Sequence, residues 1–139
     1  MRALVVVPRV LDEDLDESER LSLHQYAVLM FLSEAADRRM RIGDLACHTS
    51  LTISGITRLV NRLADEGLVE RVRCDDDGRG FFAVLTQEGM TRLESAYPAH
   101  LASARRHVID HLAGFDLEEL ATAFMLFGQE KFEVFRRTT

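Results

Sequence analysis

Hydroxyl, amide and guanidinium side chains crowd one short stretch of the chain: Thr52, Ser54, Thr57, Arg58, Asn61 and Arg62. Groups of these types hold phosphate oxygens and read base edges, and they need neither a metal nor an activated nucleophile to do so. With Ile53 set at zero and residues stepped at about 100°, Ile56, Leu59, Val60 and Leu63 fall in one arc, and Ser54, Thr57, Arg58, Asn61, Arg62 and Asp65 fill the opposite side. On a lone helix such a face is more often plain solvated surface; the hairpin that follows it here reverses those odds. A second polar pair, Asp77 and Arg79, lies in a Gly- and Asp-rich turn further on. From the residues alone it reads equally as a surface ion pair, worth about 0–1 kcal/mol, or as a nucleic-acid contact.

Other chemistry-bearing residues are sparser. His100, His107 and His111 fall on one stripe of a long helical segment, and the step of four from His107 to His111 suits a metal. No carboxylate or cysteine joins that stripe at close spacing, and the three border the apolar arc of Leu101, Ala104 and Val108. They read as interface or pocket-edge residues, so neither a metal nor another cofactor is expected. Cys47 and Cys74 match no zinc or redox spacing and read as structural thiols, with redox sensing a minority reading. There is no nucleophile elbow, HExxH, phosphate loop or compact acid pair, so the chain is not expected to be an enzyme. Six acids between Asp12 and Glu19 read as a solvated or helix-starting run.

The elements that carry these residues follow from periodicity. Leu23, Tyr26, Ala27, Met30, Phe31 and Ala35 predict a helix ending between Glu34 and Arg38. Ile42, Leu45 and Ala46 predict a short helix capped by Gly43 or Asp44 and stopping before Thr49. The polar-faced helix spans residues 52–66, with Thr52 as N-cap and Gly67 as the stop that tolerates positive φ. Residues 68–72 alternate apolar and charged, residues 74–80 form a turn and residues 81–86 are β-prone, which together make a hairpin. A long helix then starts at Thr86 and runs past Leu93, Tyr97, Leu101, Ala104 and Val108 to Leu112, kinked or split at Pro98. A last helix runs from Asp116 to about Arg136, apolar almost all round between Ala121 and Phe127, and a second copy of the chain is the simplest cover for it.

The chain has 139 residues, 47% of them apolar, enough for one domain with a sizeable core. The uncharged apolar run at residues 3–7 is far short of the roughly 18 residues of a membrane span. No signal peptide is read at the start, and a soluble cytoplasmic protein without membrane association is expected. Formal net charge is −6, but the deficit is uneven. Between Asp37 and Arg62 stand Arg38, Arg39, Arg41, Arg58 and Arg62 against only Asp37 and Asp44, a local basic surface inside an acidic chain.

Helix, short turn, polar-faced helix and hairpin make the plan of a winged helix-turn-helix. The segments LSLHQYAVLMFLSE, RIGDLACHTSLTISGITRLVNRLADEGLVERV and CDDDGRGFFAVLTQEG resemble the MarR family of bacterial transcription regulators, well over residues 21–100 and more loosely at the ends. The resemblance implies that the helix from Thr52 is the recognition helix and that Arg79, oriented by Asp77, enters the minor groove, an insertion favoured where that groove is narrow. It also implies a homodimer and a small anionic aromatic effector held between the dimerisation helices and the DNA-binding part, with Arg20, His24, Met30 and His100 as the residues to watch. Departures from the family pattern are Ile53, where basic or polar residues are common, Gly78, where a second basic residue is common, and the run Asp75, Asp76 and Asp77. Each weakens phosphate attraction. Only about twenty residues, with Pro8 among them, precede the LSL segment, so a short or irregular first helix is expected.

The expected architecture is therefore mainly α with a small β-hairpin wing: a single domain over residues 1–139, a winged helix-turn-helix DNA-binding part at 21–96, and helical dimerisation parts at 1–20 and 97–139. The expected function is that of a sequence-specific regulator, a ligand-responsive repressor, binding double-stranded DNA at a pseudo-palindromic operator. The alternatives are a winged-helix protein-interaction module and a small-ligand-binding helical dimer that leaves DNA alone.

Overall fold

Among residues 2–73 and 80–126, which the computed structural model describes, the chain runs α1 (Arg2–Glu19), α2 (Leu23–Glu34), β1 (Arg39–Arg41), α3 (Ile42–Thr49), α4 (Ile53–Asp65), β2 (Val69–Arg73), β3 (Phe81–Leu85), α5 (Gln87–His107) and α6 (Leu117–Leu126). Short 3₁₀ turns follow α2 and α5. The helix-turn-helix and the hairpin stand where the sequence puts them. No helix among the described residues is long and apolar enough to cross a membrane.

The core gathers around α2, which buries Tyr26, Val28, Leu29 and Leu32. Its start is fixed by a reciprocal capping box: the Gln25 N–H donates to the Ser22 hydroxyl at 3.2 Å, and the Ser22 N–H donates to the Gln25 side-chain carbonyl at 2.9 Å. Leu45 of α3, Ile56, Val60 and Leu63 of α4, and Ala83 and Leu85 of β3 close on that helix. Full burial of each large aliphatic side chain contributes about 1.5–3 kcal/mol.

The sheet has three strands in the order β1-β3-β2, all antiparallel. Strand β1 is an addition to the hairpin read from the sequence. Its Arg39 and Arg41 lie opposite Val84 and Phe82, and it leads without a linker into α3, whose N-cap is Arg41 rather than Gly43 or Asp44. Thr49 lies inside α3, which closes at Ser50 in the left-handed conformation (φ 56°). Gly67 has φ 75°, the positive value foreseen for the stop after α4.

The hairpin is anchored to α5 at its base. Thr86 caps α5 by accepting from the Gly89 N–H at 2.9 Å, while its hydroxyl donates to the Gly67 carbonyl at 2.8 Å and its N–H to the Leu68 carbonyl at 3.2 Å. Helix and hairpin approach so closely here that a Cβ on Gly89 would lie 2.0 Å from the Leu68 carbonyl oxygen.

The long helices depart from expectation in three ways. Helix α1 is one regular helix of 18 residues despite Pro8. The hydrogen bond that proline denies is the one to the carbonyl of Leu4, a residue 74% exposed at the open first turns of the helix, where the loss costs least. Helix α5 likewise runs unbroken through Pro98, whose orphaned acceptor belongs to exposed Glu94. It ends at His107, because Val108 leaves helical geometry (φ −132°, ψ −65°), so His107 and His111 do not lie one turn apart on a continuous helix. Helix α6 starts as expected, with the Asp116 carboxylate accepting from the N–H groups of Glu118 and Glu119 at 2.9 and 3.0 Å. The continuation of that helix toward Arg136 lies outside the described residues.

The acidic run is not simply solvated. Asp12 accepts from the Leu23 N–H at 2.6 Å, and Glu19 pairs with Arg92 of α5 at 2.9 Å, with the Arg92 guanidinium also donating to the Glu19 carbonyl. Asp14 accepts from the Ser103 hydroxyl at 2.6 Å and meets His107 Nε2 at 3.0 Å and Arg106 at 3.3 Å. The Ser103 bond, then His107 and Arg106, hold the Asp14 carboxyl below its usual range against an opposing effect of burial. Three of the six acids thus fasten α1 along α5 and onto the start of α2.

Candidate nucleic-acid interface

Helix α4 owes its position to both of its faces. Ile56, Val60 and Leu63 are wholly buried and Leu59 packs against the same core, which fixes the rotation of the helix about its own axis. The other face is left to solvent: Ser54, Arg58 and Arg62 are exposed, and Thr57 and Asn61 half-buried. All six residues expected to line the interface on this helix, Thr52, Ser54, Thr57, Arg58, Asn61 and Arg62, therefore lie together at its first turn and along its outer side.

Their hydrogen bonds show which of them have polar capacity left. Thr52 caps the helix, its hydroxyl accepting from the Gly55 N–H at 3.1 Å and lying 3.2 Å from the Ser54 hydroxyl. The Thr57 hydroxyl donates to the Ile53 carbonyl at 2.7 Å, which commits its proton within the helix and leaves its oxygen able to accept. Arg58 Nε–H donates to the Ser54 carbonyl at 3.3 Å, laying the side chain along the helix while its terminal nitrogens keep their donors. Asp77, Arg79 and Cys74 lie outside the described residues, as do Asp75, Asp76 and Gly78.

The sheet brings in arginines that the sequence reading did not place at the site. Arg71 lies 4.3 Å and Arg73 5.9 Å from the Phe81 ring centroid, and Arg39 and Arg41 lie 5.1 and 5.3 Å from that of Phe82. Cation–π contact steadies four positive charges on the strands next to the helix-turn-helix. Arg39 and Arg41 belong to the basic stretch already visible in the sequence. For Arg71 and Arg73 the signal was their spacing of two, which puts both on one face of a strand whose partner begins with Phe81 and Phe82.

The four residues read as an effector site have separate environments. Arg20 is exposed, with a left-handed backbone (φ 52°) just past the end of α1, and His24 is exposed on α2. Met30 packs against the core. His100 stacks on Tyr26 with ring centroids 4.3 Å apart, its Nδ1 is buried without a hydrogen-bond partner, and burial lowers its pKa. No hydrogen bond, ion pair or ring contact among the described residues links these four to one another. Cys47 is a free, half-buried thiol on α3. No group of three or more His, Cys, Asp or Glu among the described residues is placed to hold a metal ion.

Comparison with known proteins places this geometry. The sequence profile of the MarR family matches residues 21–80. Over 82 residues, 59% of the chain, the sequence is 37% identical to the HTH-type transcriptional repressor YetL of Bacillus subtilis, and that stretch spans 49% of the repressor's length. Among solved structures, Sco3205 of Streptomyces coelicolor, a MarR family transcriptional regulator crystallised in complex with DNA, is similar with a TM-score of 0.83 and 30% identity, over 93% of this chain and 84% of that one. AbsC, a MarR family regulator from the same organism, is similar with a TM-score of 0.78 and 36% identity, over 95% of this chain and 91% of that one.

Proposed function

The chain belongs to the MarR family of transcriptional regulators, and from that premise we propose that it is a sequence-specific DNA-binding repressor acting as a homodimer on a pseudo-palindromic operator. The observation that carries the reading is helix α4: capped at Thr52, seated on the core through Ile56, Val60 and Leu63, and presenting Ser54, Thr57, Arg58, Asn61 and Arg62 outward. A helix so held fits the major groove, where Arg58, Asn61 and Arg62 have the donors to reach base edges and Thr52 and Ser54 lie close to phosphate. Arg79, oriented by Asp77, is assigned to the minor groove. The DNA-binding part is residues 21–96.

Homodimerisation through residues 1–20 and 97–139 is supported by apolar side chains left in the open on α1, α6 and the segment before α6. Leu4 and Val5 are 74% and 72% exposed, and Phe115, Phe124 and Leu126 about as open, more apolar surface than a lone chain keeps without a partner. Two-fold symmetry then sets two copies of α4 in successive major grooves, one helical turn apart. A small anionic aromatic effector would act by binding one spacing of those helices better than the other. Arg20, His24, Met30 and His100 are its assigned contacts, supported by the unpartnered Nδ1 of His100 and the open cation of Arg20. The family consists of regulators rather than enzymes, and the cytoplasm, where the DNA is, is the place of action.

Selection of duplexes from a random pool, followed by electrophoretic titration, tests the reading. Enrichment of an inverted repeat whose affinity falls by about 1–3 kcal/mol on Arg58→Ala is the expected result. Failure to enrich any sequence, or binding indifferent to Arg58→Ala, Arg62→Ala and Arg79→Ala together, would overturn it.

A further inference from the structure

The first turn of α4 carries a side chain that neither the core nor the polar face accounts for. Ile53 follows the N-cap directly and is 59% exposed, although the apolar arc of the helix is already complete in Ile56, Leu59, Val60 and Leu63. Around it, the Thr52 hydroxyl accepts from the Gly55 N–H and lies 3.2 Å from that of Ser54, and the Thr57 hydroxyl donates its proton to the carbonyl of Ile53 itself. What Ile53 adds to this turn is a branched aliphatic side chain open to solvent. The other exposed aliphatic side chains of the helices lie on α1, α5 and α6, apart from this face.

We infer that Ile53 is a specificity-determining residue that reads the C5-methyl group of a thymine in each operator half-site. The inference rests on the proposed DNA-binding function and on one fact of base chemistry. Among the groups that base pairs display in the major groove, the thymine methyl is the apolar one, and apolar side chains select it by contact rather than by hydrogen bonding. An isoleucine at this place gives up phosphate attraction that a basic residue would supply and gains discrimination by shape.

Deoxyuridine tests this directly, because it differs from thymidine only by that methyl. Thymines of the selected operator are replaced by deoxyuridine one symmetry-related pair at a time, and affinity is measured for the wild type, Ile53→Ala, Ile53→Val and Arg58→Ala. The expected result is one pair at which the wild type loses roughly fourfold per half-site, the fold-change that corresponds to burial of one methyl group. Ile53→Val keeps that loss, Ile53→Ala abolishes it while leaving the melting temperature unchanged, and Arg58→Ala binds more weakly overall with the loss intact. A wild type indifferent to deoxyuridine at every position, or a loss that persists in Ile53→Ala, overturns the assignment of Ile53 while leaving DNA binding standing. An absence of any selected operator overturns the proposed function instead, and the assignment with it.

Discussion

Replacing Gly89 by alanine tests how the hairpin is joined to the rest of the molecule. An added Cβ would lie 2.0 Å from the Leu68 carbonyl oxygen and 2.7 Å from Leu85 Cδ1, where real Cβ atoms stay at least 3.0 Å from any neighbour. The obstacle is backbone, so α5 and the start of β2 must part by about 1 Å. That movement stretches the bonds from Thr86 to Gly67 and Leu68, worth about 0.5–1.5 kcal/mol each. Strain from overpacking adds about 1–3 kcal/mol. Against this stands a gain of about 0.5–1 kcal/mol from removing a glycine from a helix, which leaves a net loss of about 1–5 kcal/mol, centred on about 3 kcal/mol. In urea denaturation at one fixed protein concentration, the midpoint of Gly89→Ala should fall by about 1–2 M. Gly43→Ala, also helical but with nothing within 4 Å of its added Cβ, should raise stability by up to about 1 kcal/mol. A Gly89→Ala variant as stable as the wild type, or indistinguishable from Gly43→Ala, would refute the close approach and the rigid anchoring inferred from it.

The remaining predictions concern pH, pairing and the wing. The folded state holds the Asp14 carboxyl below 3.8, so its contribution is complete above that pH and is lost as the pH falls through the lowered value. Asp14→Asn should therefore be less stable than the wild type at pH 7 and show a shallower acid limb in a series of denaturation curves. Burial lowers the pKa of His100 below 6.5, so unfolding takes up a proton as the pH drops past 6.5; His100→Phe, which keeps a ring against Tyr26, should flatten the stability profile there. Leu126→Asp combined with Leu4→Asp should yield monomers in light scattering, and a dimer that survived would move the pairing surface elsewhere. Arg79→Ala should weaken DNA binding and lessen the dependence of affinity on salt, by about one phosphate's worth in the logarithmic slope.

Much of the reading part of the fold was legible because its signals are local. Thr52 and Gly67 mark the ends of α4, and Thr86 marks the start of α5, by chemistry that acts within a few residues. Ser22 and Gln25 carry an equally local capping signal, which the periodicity of the following helix overshadowed. Strand β1 was hidden for a different reason: three residues, two of them arginine, have no strand character until β3 lies alongside. Across the fasteners of α1, Glu19 and Asp14 meet partners 73 to 93 residues away, and no spacing rule connects such pairs. The prolines misled because the cost of a lost hydrogen bond depends on its surroundings, and the residues whose carbonyls Pro8 and Pro98 leave without a donor, Leu4 and Glu94, are both exposed. The outward face of α4 is legible as a set of residue types, yet which hydrogen bonds the hydroxyls of Thr52 and Thr57 make within the helix appears only in three dimensions.

Arg41 closes a strand and opens a helix at once, with no residue between. The chain has no slack at that point: one inserted residue would turn α3 by about 100° and swing Leu45 and Ala46 out of the interior. The register of β1 against β3 and the rotation of α3 about its own axis are thereby set together, by one residue that belongs to both.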